Sequence, residues 1–114
     1  MSTLRVNKLT GLDGNGVVIH HKIEIITGSA ALEVNGKIKV VDATTGNLVL
    51  SLLASNAPDA GSVRIQRSRS DTSSNTVTIA TIGGDTVGKE AELTLLPGEG
   101  YELIPDGVSD YLQF

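Results

Sequence analysis

The sequence predicts an all-β fold, a compact antiparallel β-sandwich or knob of about eight to ten strands. Three observations predict it. Apolar runs are short and are separated at short intervals by Gly, Asn, Asp and Pro, with 13 glycines in 114 residues. Where the pattern is clear its period is two: in Val63-Arg64-Ile65-Gln66 the apolar and polar side chains take opposite faces, and Val77 and Ile79 oppose Thr76 and Thr78. Finally, no segment repeats apolar residues at the helical spacing over enough length to bury a face.

Taken in order, Leu4-Arg5-Val6-Asn7-Lys8-Leu9 alternates and reads as a first strand. Leu12-Asp13-Gly14-Asn15-Gly16 breaks it, because Gly and Asn tolerate positive φ. That break sets residues 1–16 apart as an N-terminal arm or attachment segment, followed by a β-sandwich domain over 17–114. Val17 to Ile19 and Lys22 to Thr27 read as strands. Ala30 to Val34 and Lys37 to Val41 flank Asn35-Gly36, the strongest hairpin signal in the chain, since Asn-Gly favours the type I′ turn. Asp42 to Asn47 is a turn. Leu48 to Leu53 fits a strand or a turn or two of helix. Ser55 to Gly61 is a loop. Strands follow at Ser62 to Arg67, Thr76 to Ile82, Ala91 to Leu96, Tyr101 to Ile104 and Tyr111 to Phe114.

The core is expected to be aliphatic. Only Tyr101, Tyr111 and Phe114 are aromatic, and all lie near the C-terminus. Val, Ile and Leu bury less area per residue than Phe or Trp. A domain this small with so few aromatics is a candidate for burying further surface between chains. With no Cys, disulfides, thiolate metal sites and thiol catalysis are excluded. A net charge of −4 argues against a polyanion ligand, so no nucleic acid is expected. No apolar stretch approaches the roughly 20 residues of a membrane span. The N-terminus lacks a signal-like apolar run, so a soluble protein made in a cytoplasm is expected, with no membrane partner.

The candidate sites are sparse. His20 and His21 are adjacent, and neighbours on a strand face opposite ways, so the two are not expected to share a metal ion. Asp13-Gly14-Asn15-Gly16 lacks the spaced oxygen ligands and closing Glu of a calcium loop. Gly83-Gly84-Asp85 is one copy of a motif that binds calcium only when repeated, and reads as a turn. Glu90-Ala91-Glu92 places two carboxylates on one strand face, but without the aromatics a glycosidase cleft needs. The single basic cluster is Arg64-Ile65-Gln66-Arg67-Ser68-Arg69. It reads as a solvated strand face or an inter-chain salt-bridge row, and its arginines are the first choice of contact if the protein docks on an acidic partner surface. No catalytic residue, metal site or cofactor is expected.

The stretches Asn56-Ala57-Pro58-Asp59-Ala60-Gly61-Ser62-Val63-Arg64-Ile65, Asn75 to Ile79, Gly83 to Thr86, Leu93-Thr94-Leu95 and Asp106-Gly107 followed by Tyr111 carry a further signal. With them the C-terminal half resembles a β domain that recurs in bacteriophage virion proteins, in small head-decoration (cement) proteins and in short tail and neck fibres. Leu4 to Leu9 with its Gly-rich break is similar to the attachment segment of some phage fibres. The family pattern places a Trp near the final strand; this chain has none, and Tyr111 or Phe114 takes that place. There is no long shaft, which favours a decoration protein over a fibre.

The resemblance implies a homotrimer sharing a core, and a non-enzymatic virion protein whose partner is the major capsid protein or another virion protein. Leu4, Arg5, Val6, Lys8 and Leu9 of the arm, with Arg64, Arg67 and Arg69, are the expected partner contacts. A short tail or neck fibre is the second reading. The third is a carbohydrate-binding β module stacking sugars on Tyr101, Tyr111 and Phe114.

Overall fold

The computed structural model describes residues 22–114. The described chain contains no helix. It forms ten strands: β1 (Ile23–Ile26), β2 (Ala30–Ala31), β3 (Ile38–Val41), β4 (Leu48–Ser51), β5 (Val63–Arg67), β6 (Val77–Ala80), β7 (Thr86–Val87), β8 (Glu92–Thr94), β9 (Gly100–Pro105) and β10 (Asp110–Gln113). They make two sheets, a six-stranded one ordered β1-β3-β5-β9-β10-β7 and a four-stranded one ordered β2-β4-β6-β8. The all-β expectation holds. The arm and its five expected contacts, the strand at Val17 to Ile19, Asp13 to Gly16 and the histidine pair lie outside the described residues.

The expected antiparallel sandwich is corrected. From β1 to β6 the chain changes sheet with every strand, and each strand pairs in parallel with the one two positions earlier: β1 with β3, β3 with β5, β2 with β4, and β4 with β6. The chain therefore winds, each strand of one sheet serving as the crossover between parallel neighbours in the other. Antiparallel pairing enters only in the second half, where β9 joins β5, β8 joins β6, and β10 joins β9. β7 then pairs in parallel with β10. Alternation of side chains sets which face a residue takes; it does not set strand direction, so the sequence pattern fits either arrangement.

The sharpest case is Asn35-Gly36. It is a turn, and Gly36 has φ of 75°, a left-handed value that glycine adopts without a Cβ penalty. It does not close a hairpin, because β2 and β3 belong to different sheets. The turn is a corner between layers. Pairing of β3 on both sides, with β1 and β5, outweighs the local preference.

The core lies between the sheets. Val41, Leu50, Ile65, Val77, Ile79 and Leu103 are almost completely buried. The faces expected for Val63, Ile65, Val77 and Ile79 are those observed. Tyr111 is buried as well, and its hydroxyl donates to the Leu53 carbonyl at 2.9 Å. Phe114, by contrast, stays exposed. Leu48 to Ser51 forms β4, which resolves the strand-or-helix ambiguity there. The sequence reading misses β7, whose two residues are too few to show a period.

Candidate functional site

β5 turns its basic residues to opposite sides. Arg64 is outward and exposed. Arg67, on the same face as Val63 and Ile65, is only 1 % exposed. Its guanidinium is fully engaged. Nε donates to Asp71 Oδ2 at 2.9 Å, Nη1 to the Leu95 carbonyl at 2.9 Å, and Nη2 to the Asn75 carbonyl at 2.7 Å and to Ser73 Oγ at 3.3 Å. Arg67 is therefore corrected from a partner contact to an internal clasp. A burial this complete is tolerated because each nitrogen finds an oxygen.

Asp71 is the other half of that clasp, and the sequence reading passes over it. Its Oδ2 also accepts the Ala43 amide at 2.8 Å, and its Oδ1 accepts the Ser73 amide and hydroxyl at 3.0 and 2.6 Å. Hydrogen bonding from Arg67, then from Ser73, holds the carboxyl far below the usual range against the opposing cost of burial. Asn75 adds a third tie, donating to the Ala43 carbonyl at 2.7 Å. The hydroxyl-rich run from Asp71 to Thr76 thus joins the turn at 42–47 to the strand ends of both sheets. The signal in the sequence was Asp-Thr-Ser, an Asp whose carboxylate caps the amide two residues on.

The outer face of the six-stranded sheet carries the remaining candidates. The pairings align Ile23, Ile38, Arg64 and Glu102 in one row across four strands, and Ile25, Val40, Gln66 and Gly100 in the next. The face is apolar at the β1 edge and polar over β5 and β9. Ile23 and Ile25 are 60 and 64 % exposed. Over β5 and β9 lies a groove of about 480 Å³ lined by Ile38, Arg64, Gln66, Arg69, Glu102 and Phe114, with Gly98 and Gly100 in its wall. Gly100 lies close against β5. A Cβ there would lie 3.2 Å from both Gln66 Cβ and the Ile65 carbonyl. Arg64 and Arg69, two of the expected contacts, therefore meet at one site. Neither makes an ion pair or side-chain hydrogen bond with another described residue, nor do Gln66 and Glu102.

Two further charged clusters are structural in form. Lys39 on β3 is 1 % exposed; it donates to Glu24 Oε1 at 3.0 Å and to Asn35 Oδ1. The Asn35 amide donates to the same Glu24 oxygen at 3.2 Å. These bonds, Lys39 first, lower the Glu24 pKa. On the other side of the sheet, Asp110 accepts from the Thr86 hydroxyl at 2.6 Å and from the Lys89 amide at 3.1 Å, which lowers its pKa. Lys89 has φ of 72° and follows Gly88 at 57° in a tight turn bridging Val87 and Glu90.

The carboxylate pair expected at Glu90 and Glu92 is split: Glu90 belongs to that turn, and only Glu92 sits on β8. Gly83-Gly84-Asp85 is a turn with both glycines at positive φ, and Asp85 accepts the Ser55 amide at 2.8 Å. No group of three or more His, Asp or Glu gathers among the described residues.

Comparison with protein families, with characterised proteins and with solved structures finds no match to this chain.

Proposed function

We propose that the chain is a non-enzymatic structural protein of a bacteriophage virion, a homotrimeric capsid decoration (cement) protein that stabilises the head. The observation that carries this reading is the outer face of the six-stranded sheet. Ile23 and Ile25, with Ile38 and Val40 beside them, form a contiguous apolar strip at the outermost described strand. Such strips on β-branched strands are surfaces that assembly covers. The β core beneath is closely tied at its corners, which suits a protein whose role is rigidity. In the virion, the trimer bridges neighbouring subunits of the major capsid protein, and many weak copies stabilise the shell together.

Light scattering coupled to size exclusion tests the assembly. A stable species of about three times 11.8 kDa is expected. Replacing Ile23 and Ile25 with Thr is expected to shift it toward monomer without unfolding it. A wild-type monomer with no affinity for capsids overturns the reading.

A short tail or neck fibre uses the same trimer, and capsid binding separates the two. The carbohydrate reading loses part of its platform: Tyr111 is inside the core and Tyr101 packs against it, which leaves Phe114 as the exposed ring.

A further inference from the structure

We propose that the groove over β5 and β9 is a peptide-docking site, which receives an extended segment of the partner carrying two carboxylates on either side of an apolar side chain. This rests on the virion reading for the partner's identity, and on the geometry of the groove for its chemistry.

Three observations carry it. First, the groove concentrates cations in an acidic chain. Arg64 and Arg69 line it, with Glu102 as the one acidic side chain, whereas the whole chain carries −4. Second, those cations have no ion-pair or hydrogen-bond partner among the described residues. Arg67, three residues from Arg64 and two from Arg69, shows what a guanidinium does in this fold when its role is internal: every nitrogen finds an oxygen. Arg64 and Arg69 find none among the described residues. A planar guanidinium recognises a carboxylate through two parallel bonds, so this is the ligand group that fits.

Third, the lining is mixed. Ile38 and Phe114 supply apolar surface beside the arginines, and Phe114 is 67 % exposed. An extended peptide presents alternate side chains to one face, so an apolar residue with an acidic residue two positions before it and another two positions after it sets all three on the groove. A saccharide needs stacked aromatic faces; of the two aromatics at the groove, Tyr101 packs against the core, which leaves Phe114 as the exposed ring. Glu102, opposite Arg64 in the register, disfavours ligands that set a carboxylate over β9.

The test is an NMR titration of the full-length ¹⁵N-labelled protein with three probes. These are the peptide acetyl-Asp-Gly-Leu-Gly-Asp-amide, its Asn-for-Asp analogue, and trigalacturonate. The acidic peptide is expected to give saturable shifts at Gln66, Gly98, Gly100 and Phe114. The Asn analogue is expected to bind roughly tenfold more weakly, as is the acidic peptide to the Arg64→Glu or Arg69→Glu variant. Both variants are exposed-site changes and should keep the wild-type Tm. Higher salt should weaken the contact, as for any solvent-facing pair.

Equal binding of both peptides overturns the proposal, as does stronger binding of trigalacturonate. So does the absence of saturable shifts up to about 10 mM peptide. Capsid binding by the Arg64→Glu/Arg69→Glu trimer at wild-type affinity would remove the groove from the partner contact and leave the virion reading standing. Absence of trimer and of capsid binding, with peptide binding intact, would remove the virion reading and leave the groove.

Discussion

Two cations are buried to the same degree in this fold, and they are held in different ways. Arg67 closes the corner where the turn at 42–47 meets the run from Asp71 to Thr76. Its partner Asp71 is 0 % exposed, and groups of Ala43, Ser73, Asn75 and Leu95 complete the cluster. Lys39 closes the corner at Asn35-Gly36. Its partner Glu24 keeps 35 % of its side chain in solvent, and Asn35 is exposed. The first corner is dry at both ends of the ion pair, and the second is dry at one. The difference teaches where breaking a pair leaves a charge stranded. A carboxylate that can turn to water recovers its hydration, and one that cannot loses it.

The largest expected effect is therefore at Arg67. Arg67→Met leaves the buried Asp71 carboxylate without its cation and leaves the Leu95 and Asn75 carbonyls without donors. Tm should fall by roughly 15 °C or more. Adding Asp71→Asn to that variant should recover part of the loss, because the stranded charge is gone. Differential scanning calorimetry of the two variants reads both numbers. A drop of only a few degrees in the single variant would mean that the corner relaxes and admits water.

Lys39→Met is the counterpart, and a far smaller effect is expected, within about 5 °C of wild type. Methionine fills most of the volume of the lysine stem, and Glu24 is free to face solvent. If Lys39→Met were as damaging as Arg67→Met, burial of the partner would not be what separates the corners.

Acid sharpens the same contrast. Asp71, Glu24, Asp106 and Asp110 all have lowered pKa values. A carboxyl whose folded pKa lies below its unfolded value binds fewer protons when folded. Its contribution is complete above the unfolded value, near pH 4, and is lost as pH falls toward the folded one. Stability should thus be flat from about pH 7 to 5 and fall below about 4. In Arg67→Met the largest cause of the Asp71 shift is removed, so the acid limb should be shallower than in wild type. Urea midpoints from pH 2 to 7 measure it, and an unchanged acid limb would place the pH dependence elsewhere.

How much of this the sequence carried depends on one rule applied to different strands. Period-two alternation placed Val63, Ile65, Val77 and Ile79 correctly. One more step of the same period puts Arg67 inside with Val63 and Ile65, so the clasp was legible in principle. What hid it was residue type, since an arginine at the end of a strand ordinarily reads as solvent-facing. In β3 the rule points the wrong way. Ile38 and Val40 alternate with Lys39, so the pattern alone would bury the isoleucine and valine. The structure turns Lys39 and Val41 inward instead, because the neighbours at those register positions are Glu24 with Ile65 and Ile26 with Arg67. Winding was also hidden, since strand direction leaves no mark on alternation. The groove was half legible: Arg64 and Arg69 were evident, while the glycine wall and Phe114 come from strands far along the chain.

The smallest expected effect is at the aromatic that the sequence placed on the last strand. Tyr111 sits in the core with burial raising its pKa, and its hydroxyl makes one bond to Leu53. Tyr111→Phe keeps the packing and removes that bond, which leaves the Leu53 carbonyl to find another donor. The cost should be about 1 kcal/mol at most, a shift of no more than about 4 °C. Since Leu53 opens the loop that leads into β5, the loss should appear locally. Hydrogen exchange is expected to speed up over 53–61 while the Arg67 corner keeps its protection, and faster exchange at both places would mean that the two regions open as one unit.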